Sequence, residues 1–522
     1  MQFTTVSFLL FAALVLLGYY LLPQKARWVL LLVASFLFYL FAGVAYLGFI
    51  LLTTLSTYLA TRVMAKRYEK QDTYLAEHKA TLSREEKKDY KARVKAKNRW
   101  VMVLCLVVNF AVLAVCKFCL AEPFRSAAQK GTLSFLTLGL PLGISFYMFQ
   151  SMGYVVDVYR TTVKAEKNLL KLALFVSYFP QLIQGPISKF SDLEPQLVAG
   201  KGFDGKEFSF GLQRLLWGFF KKMVIADRIA AAVIALKAPE FAGFGFFLLT
   251  LFYAVQIYAD FTGGIDMALG LSQALGIRLQ ENFIRPFFSK NIAEYWRRWH
   301  ITLGEWMKSY IFYPISVSQP MLKLSKAARG KFGNFGKRLP VYVASIATWC
   351  VTGIWHGITP NFLLWGMLNC FVIVVSEELV PLYEKFHNRF PGLKETKIYG
   401  CFEILRMFIL MNLIRIVDLF PNVGDYFARM GSLVTTFNFH ILWDGTMMKL
   451  GLTGLDYGIL LGGIALMFAV SVIQEKKGSV REILWTKPVL RYSLLFLLLV
   501  IVILMGSYGI GYNASNFIYN QF

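Results

Sequence analysis

Apolar runs long enough to cross a bilayer recur from end to end of this 522-residue chain, and no other feature limits its fold as strongly. The clearest lie near 3–22, 27–45, 46–64, 100–120, 132–152, 243–260, 359–380, 400–420, 457–474 and 490–508. Stretches near 169–187, 208–236, 262–277 and 291–317 are shorter or mixed, and read as re-entrant or interfacial. Backbone groups in hydrocarbon must find their partners inside the protein, so such runs are expected to be helical. With 57 % hydrophobic residues, a mean hydropathy of +0.52 and no internal repeat, the expectation is one all-α polytopic membrane domain with about twelve crossings.

The formal charge of +24 does not point to nucleic acid, because of where it sits. Basic residues collect in the short segments between spans, the pattern of cytoplasmic loops. Residues 65–99 hold twelve Lys/Arg against six Asp/Glu. Residues 319–338 hold Lys323, Lys326, Arg329, Lys331, Lys337 and Arg338 with no acid, and the 475–491 connection is basic as well. The first apolar run starts at once, without a basic flank or a small-residue cleavage site, and reads as a retained span with its N-terminus outside. The six cysteines lie in or beside apolar segments. Cys116-Lys-Phe-Cys119 has no second pair and no nearby histidine, so small buried hydrophobes are expected and a metal site is not.

Local grammar adds detail. Ser83 with Glu86 three residues on is a capping box, and it predicts a helix leaving a solvated cytosolic hairpin over 65–99. Ile292, Tyr295, Trp296, Trp299, Leu303, Trp306 and Tyr310 repeat at helical spacing, which predicts an amphipathic helix lying in the membrane interface. Leu339-Pro340 is expected to open an apolar helix after a basic loop. Sixteen residues separate Pro340 from His356, about 24 Å of rise, so His356 falls deep in a core roughly 30 Å thick.

The chain has only five histidines, and two stand in Trp-His dipeptides, Trp299-His300 and Trp355-His356, within apolar aromatic surroundings. An ionisable group at membrane depth is costly and marks function. Gly357 and Pro360 break the helix just past His356, and irregular backbone there belongs beside a cavity or inside protein. Asp260 reads either as a partner for an imidazole or the donor, or as the cap of a helix beginning at Thr262.

Five motifs carry a resemblance: Tyr178-Phe-Pro-Gln-Leu-Ile-Gln-Gly-Pro186, Tyr258-Ala-Asp-Phe-Thr-Gly-Gly-Ile-Asp266, Asn282-Phe-Ile-Arg-Pro286, Tyr295-Trp-Arg-Arg-Trp-His300 and Gly353-Ile-Trp-His-Gly357. Together, over roughly 1–420, the chain resembles the membrane-bound O-acyltransferases, in the bacterial branch that includes alginate O-acetyltransferase and teichoic-acid D-alanyl transferase. The resemblance implies a helical bundle around a central funnel, with His356 at its heart and His300 towards the cytosolic mouth. It implies catalytic roles for both histidines, with Asp260, Trp299, Trp355, Gln184, Arg298 and Lys331 as candidates for holding substrate or donor. No tightly bound cofactor is expected; acetyl-CoA is the expected donor.

Beyond a core expected over 1–455, two further spans fill 456–508 and a tail follows over 509–522. The basic 475–491 connection directs the last span outward. In the tail, Phe517-x-Tyr519-x-x-Phe522 resembles the end of the small partner protein of the D-alanylation system, which implies an acyl-accepting Tyr519. The expected activity is O-acyl transfer, acetyl transfer in the first place, from a cytosolic thioester through His356 and Tyr519. The expected recipient is an extracytoplasmic serine-hydrolase-type (SGNH) transferase that acylates a cell-surface polysaccharide. The expected setting is a bacterial cell membrane with both termini outside. Two alternatives are D-alanyl transfer to teichoic acid from a carrier protein, and a polysaccharide transporter or flippase. The second explains the spans but not the Trp-His motifs together with the tyrosine tail.

Overall fold

The computed structural model describes residues 2–119 and 140–508. Its regular structure is helical throughout, apart from an isolated bridge between Phe283 and Trp299. Six of the described helices are long and apolar enough to cross a membrane: Val44–Glu77, Arg84–Phe118, Phe244–Ala274, Pro360–Glu378, Gly454–Lys477 and Pro488–Met505. The apolar helix Val6–Leu21 is shorter, at 16 residues. The chain divides into two compact units, Met1–Gly211 with Leu271–Gln280, and Leu212–Gly270 with Glu281–Phe522.

The first unit contains the helical hairpin. Leu47–Glu77 and Arg84–Phe118 run on past their apolar stretches, and their far ends carry the basic segment. The capping box forms as the sequence predicts: the Glu86 amide donates to Ser83 Oγ at 3.2 Å and the Ser83 amide to Glu86 Oε2 at 2.8 Å. Helix Ile144–Tyr159 is buried on all sides along most of its length. The stretch near 169–187 forms two short buried helices, Leu169–Ser177 and Phe179–Leu182. Buried amides are paired there: Gln181 Nε2 donates to Gln150 Oε1 at 2.8 Å, and Gln150 Nε2 to the Phe175 carbonyl at 2.6 Å.

The second unit departs from the sequence expectations in three places. The apolar runs 243–260 and 262–277 are not two elements; Phe244–Ala274 is one helix of 31 residues. Asp260 therefore lies in a helix interior and caps nothing. The basic stretch 319–338 is not a loop, and Leu339-Pro340 opens no helix: Gln319–His356 runs 38 residues with a kink at Gly333 (φ 55°, ψ −128°) and Pro340 inside. Charge pattern reports exposure, which a solvated helix satisfies as well as a loop does. The aromatic stripe 291–310 is not one continuous helix. It forms Ile292–Arg298 and Ile301–Met307, and Tyr295, Trp299 and Trp306 are buried in the protein.

The helices Gln319–His356 and Pro360–Glu378 pack closely. A Cβ on Gly366 would stand 2.4 Å from the Trp349 carbonyl oxygen, and one on Gly353 would stand 2.6 Å from that of Phe362. Only glycine permits backbones this close. The contact holds His356, the last residue of its helix, against the start of the next. The cysteines are free thiols; Cys105, Cys116 and Cys370 are buried, whereas Cys401 is exposed and so departs from the expectation of burial.

Candidate active site

Both Trp-His dipeptides lie in the second unit, and the fold brings them together. The His300 ring lies 5.9 Å from that of Trp355, and the His356 ring packs 4.7 Å from that of Trp365. Arg415 sits over two indoles, 4.7 Å from the Trp299 ring and 5.2 Å from that of Trp365. Trp296 lies 5.9 Å from Trp365 and joins the same enclosure. His300 and His356 are 2 % and 5 % exposed. The result is a buried aromatic cluster, hereafter the aromatic box, that holds two imidazoles and one guanidinium.

The segment around Asn282 shapes this box. It runs extended beside the break in the aromatic stripe: the Ile284 amide donates to the Arg298 carbonyl at 2.9 Å, and the Ile301 amide to that of Asn282 at 3.0 Å. These bonds end one helix at Trp299 and begin the next after His300. His300 itself adopts a left-handed conformation (φ 48°, ψ 49°), rare for a residue with a side chain and a mark of functional constraint. Asn282 Oδ1 accepts from the Thr302 amide at 3.1 Å and the Thr302 hydroxyl at 3.0 Å, and it lies 3.3 Å from His300 Nδ1. An oxygen already accepting twice is an acceptor for the ring as well. Nδ1 therefore carries the proton, and the lone pair of the neutral ring is at Nε2. Burial, with the Arg415 charge adding to it, pushes His300 down to about 3, so the ring is neutral at physiological pH.

Phe261 forms a further wall, its ring 4.9 Å from His300 and 4.7 Å from Phe283. Its flanking residues are tied to paired lysines on the π-helical turn Phe220–Ala226. Lys222 Nζ is 2.6 Å from Asp260 Oδ1 and 2.8 Å from Asp227 Oδ1. Lys221 Nζ is 2.5 Å from Asp266 Oδ2 and donates to Thr262 Oγ1 at 2.7 Å. Arg214 adds 2.7 Å to Asp266 and a two-pronged contact to Glu281 at 2.6 Å. Charges this deep persist only when paired. Asp260 thus reaches the site through Phe261 and its own ion pair.

Of the residues the sequence singled out, His300, His356, Trp299 and Trp355 meet in one place. Arg298 is close by, paired with Glu294 at 2.7 Å and Glu475 at 3.0 Å. Lys331 is exposed on the long basic helix. Gln184 belongs to the first unit, where it is fully buried and neither side-chain polar atom has a partner among the described residues. Phe517, Tyr519 and Phe522 lie outside the described residues. Sequence reasoning missed Arg415 and Trp365, since nothing near either one in the chain marks it. It named Asn282 only within a motif.

The sequence profile described as "MBOAT, membrane-bound O-acyltransferase family" matches residues 162–417, which include both dipeptides, Asn282 and Arg415. A probable alginate O-acetylase of Pseudomonas syringae pv. tomato is 33 % identical over 376 residues, 70 % of this chain and 64 % of that protein. The chain thus spans somewhat under two thirds of that relative's length. The probable alginate O-acetylase of Pseudomonas putida is 33 % identical over 389 residues, 73 % of this chain and 71 % of its own. A peptidoglycan O-acetyltransferase of Helicobacter pylori is 29 % identical over 424 residues, covering 72 % of this chain and 70 % of the relative.

Proposed function

Because the chain belongs to the membrane-bound O-acyltransferase family, we propose that it carries an acyl group, acetyl in the first place, from a cytosolic thioester to the outside of the cell membrane. The thioester is acetyl-CoA, and the first acceptor is the hydroxyl of Tyr519. The acyl-tyrosine then passes its group to an extracytoplasmic serine-hydrolase-type transferase, which acylates a cell-surface polysaccharide. The observation that carries this reading is the convergence of the two Trp-His dipeptides in one buried aromatic box.

The chemistry is balanced. His356 takes the phenol proton as the oxygen attacks the thioester carbonyl; the C–S bond breaks and the proton leaves with the thiolate. A neutral imidazole suits that role near pH 7. The aromatic walls exclude water, which would otherwise hydrolyse the acyl group. An aryl ester is a more activated donor than an alkyl ester, so the group remains transferable. His300, held as its Nδ1–H tautomer, positions the donor rather than moving the proton, and Lys331 with its basic neighbours meets the donor's phosphates. The chain crosses the membrane about twelve times and leaves both termini outside, as the alternation of basic segments supports.

The test uses purified full-length protein with radiolabelled acetyl-CoA, followed by mass analysis of the C-terminal peptide. The expected result is an acetyl adduct on Tyr519 that is absent in His356→Gln and in Tyr519→Phe. Tyr519→Phe keeps the ring and removes the hydroxyl, so surface acylation is lost while expression holds. Normal polymer acylation in that strain would end the tyrosine relay.

A further inference from the structure

The two helices that follow the core, Gly454–Lys477 and Pro488–Met505, are pinned to the rest of the second unit at both ends. At one end Gly463 lies against Ile225, Arg228 pairs with Asp456, and the Ser507 amide donates to the Met223 carbonyl at 2.9 Å. At the other, Glu475 accepts from Arg285 at 2.5 Å and Arg298 at 3.0 Å. Between the pins the helices stand away from the core and leave a cavity of about 570 Å³.

The lining is divided by chemistry. The C-terminal pair gives an apolar wall that includes Leu466, Val470, Leu494, Leu498 and Ile501. The core side presents Arg214, Lys221, Asp266, Glu281 and Arg285, and Arg481 joins from the connection between the two helices. Of the four cations, Arg214, Lys221 and Arg285 are held in ion pairs by Asp266, Glu281 and Glu475. Water alone would leave the leucine wall exposed, and a purely apolar molecule would desolvate the ions. An amphiphile satisfies both walls, and the volume is that of an ordinary ligand site, roughly 300–1,000 Å³.

We propose that the cavity binds an anionic phospholipid, drawn from the leaflet on the side of the basic 475–491 connection. The phosphate meets Arg481 and Arg285 through charge-assisted hydrogen bonds, and one acyl chain lies along the leucine wall. The source is at hand: only 17 % and 11 % of the apolar windows of these two helices are buried among the described residues, which leaves most of their apolar surface for a bilayer to cover. Phe283 lines the same cavity and packs 4.9 Å from Trp299, which brings the lipid next to the aromatic box without entering it.

The experiment delipidates full-length protein in detergent, then offers phosphatidylglycerol or phosphatidylcholine, with native mass spectrometry and thermal melting as readouts. Wild type is expected to retain a single phosphatidylglycerol and to melt higher with it than with phosphatidylcholine. Leu498→Trp fills the apolar side and abolishes retention, while its melting without lipid is unchanged or higher. Leu494→Phe serves if that variant does not fold. Arg481→Gln weakens retention by about 10- to 150-fold, the worth of a charge-assisted bond. Equal retention of both lipids, or retention untouched in the cavity-filling variants, overturns the proposal. So does expulsion of the lipid by acetyl-CoA with the same sensitivity to Leu498→Trp, since the phosphate-bearing molecule housed there is then the thioester.

Discussion

His300 and His356 share an aromatic enclosure but are held differently, and their substitution should separate accordingly. His356 is proposed as the base, so His356→Gln is expected to lower acyl transfer by at least ~10²-fold with normal membrane expression, the usual worth of a general base. Activity within tenfold of wild type would remove it from that role. His300 is set by Asn282, so Asn282→Ala is expected to raise KM for the donor more than it lowers kcat. His300 also makes a signed pH prediction. Its folded-state value of about 3 lies below the ordinary 6.5, so the unfolded chain binds more protons between these values. The stability from burying it neutral is whole above pH ~6.5 and is lost as pH falls towards ~3. Melting at pH 7.5 and 5.5 should therefore show a smaller acid loss in His300→Gln than in wild type; equal losses would contradict a ring buried neutral.

At the scale of elements, the site depends on close helix packing and on buried ion pairs. Gly366 lets Pro360–Glu378 approach the helix ending at His356, and Gly366→Val would push a branched side chain into the Trp349 backbone. The expected cost is about 2–4 kcal/mol with activity lost in parallel, and Gly366→Ala should lie between, as read by melting in detergent. Val at wild-type stability would show that the two backbones can part freely. The left-handed His300 and the π-helical turn at Phe220–Ala226 belong to the same scale. Each departs from regular helix where a functional or charged side chain must be aimed, which is where such irregularity usually collects.

At the scale of the whole molecule, the sidedness proposed here is open to direct test. A C-terminal tag should be reached by an impermeant reagent in intact cells, whereas a cysteine placed in the 65–99 hairpin should react only after permeabilisation; the reverse pattern would invert the topology. Much of this protein is legible in its sequence because the governing physics is local. Hydropathy over a span length gives membrane helices, and Ser83 with Glu86 gives a helix start. Tertiary structure alone decided what packs against what. A stripe of aromatics at helical spacing has the same pattern whether it faces lipid headgroups or a protein core, so the burial of Tyr295 and Trp299 was not readable from it. The helix break at His300 comes from backbone bonds to a segment some 18 residues earlier, which no local signal encodes. Arg415 over Trp299, and Lys222 beside Asp260, are pairings of residues far apart in the chain. Burial forces each charge to find a partner, and only the packed fold determines which one it finds.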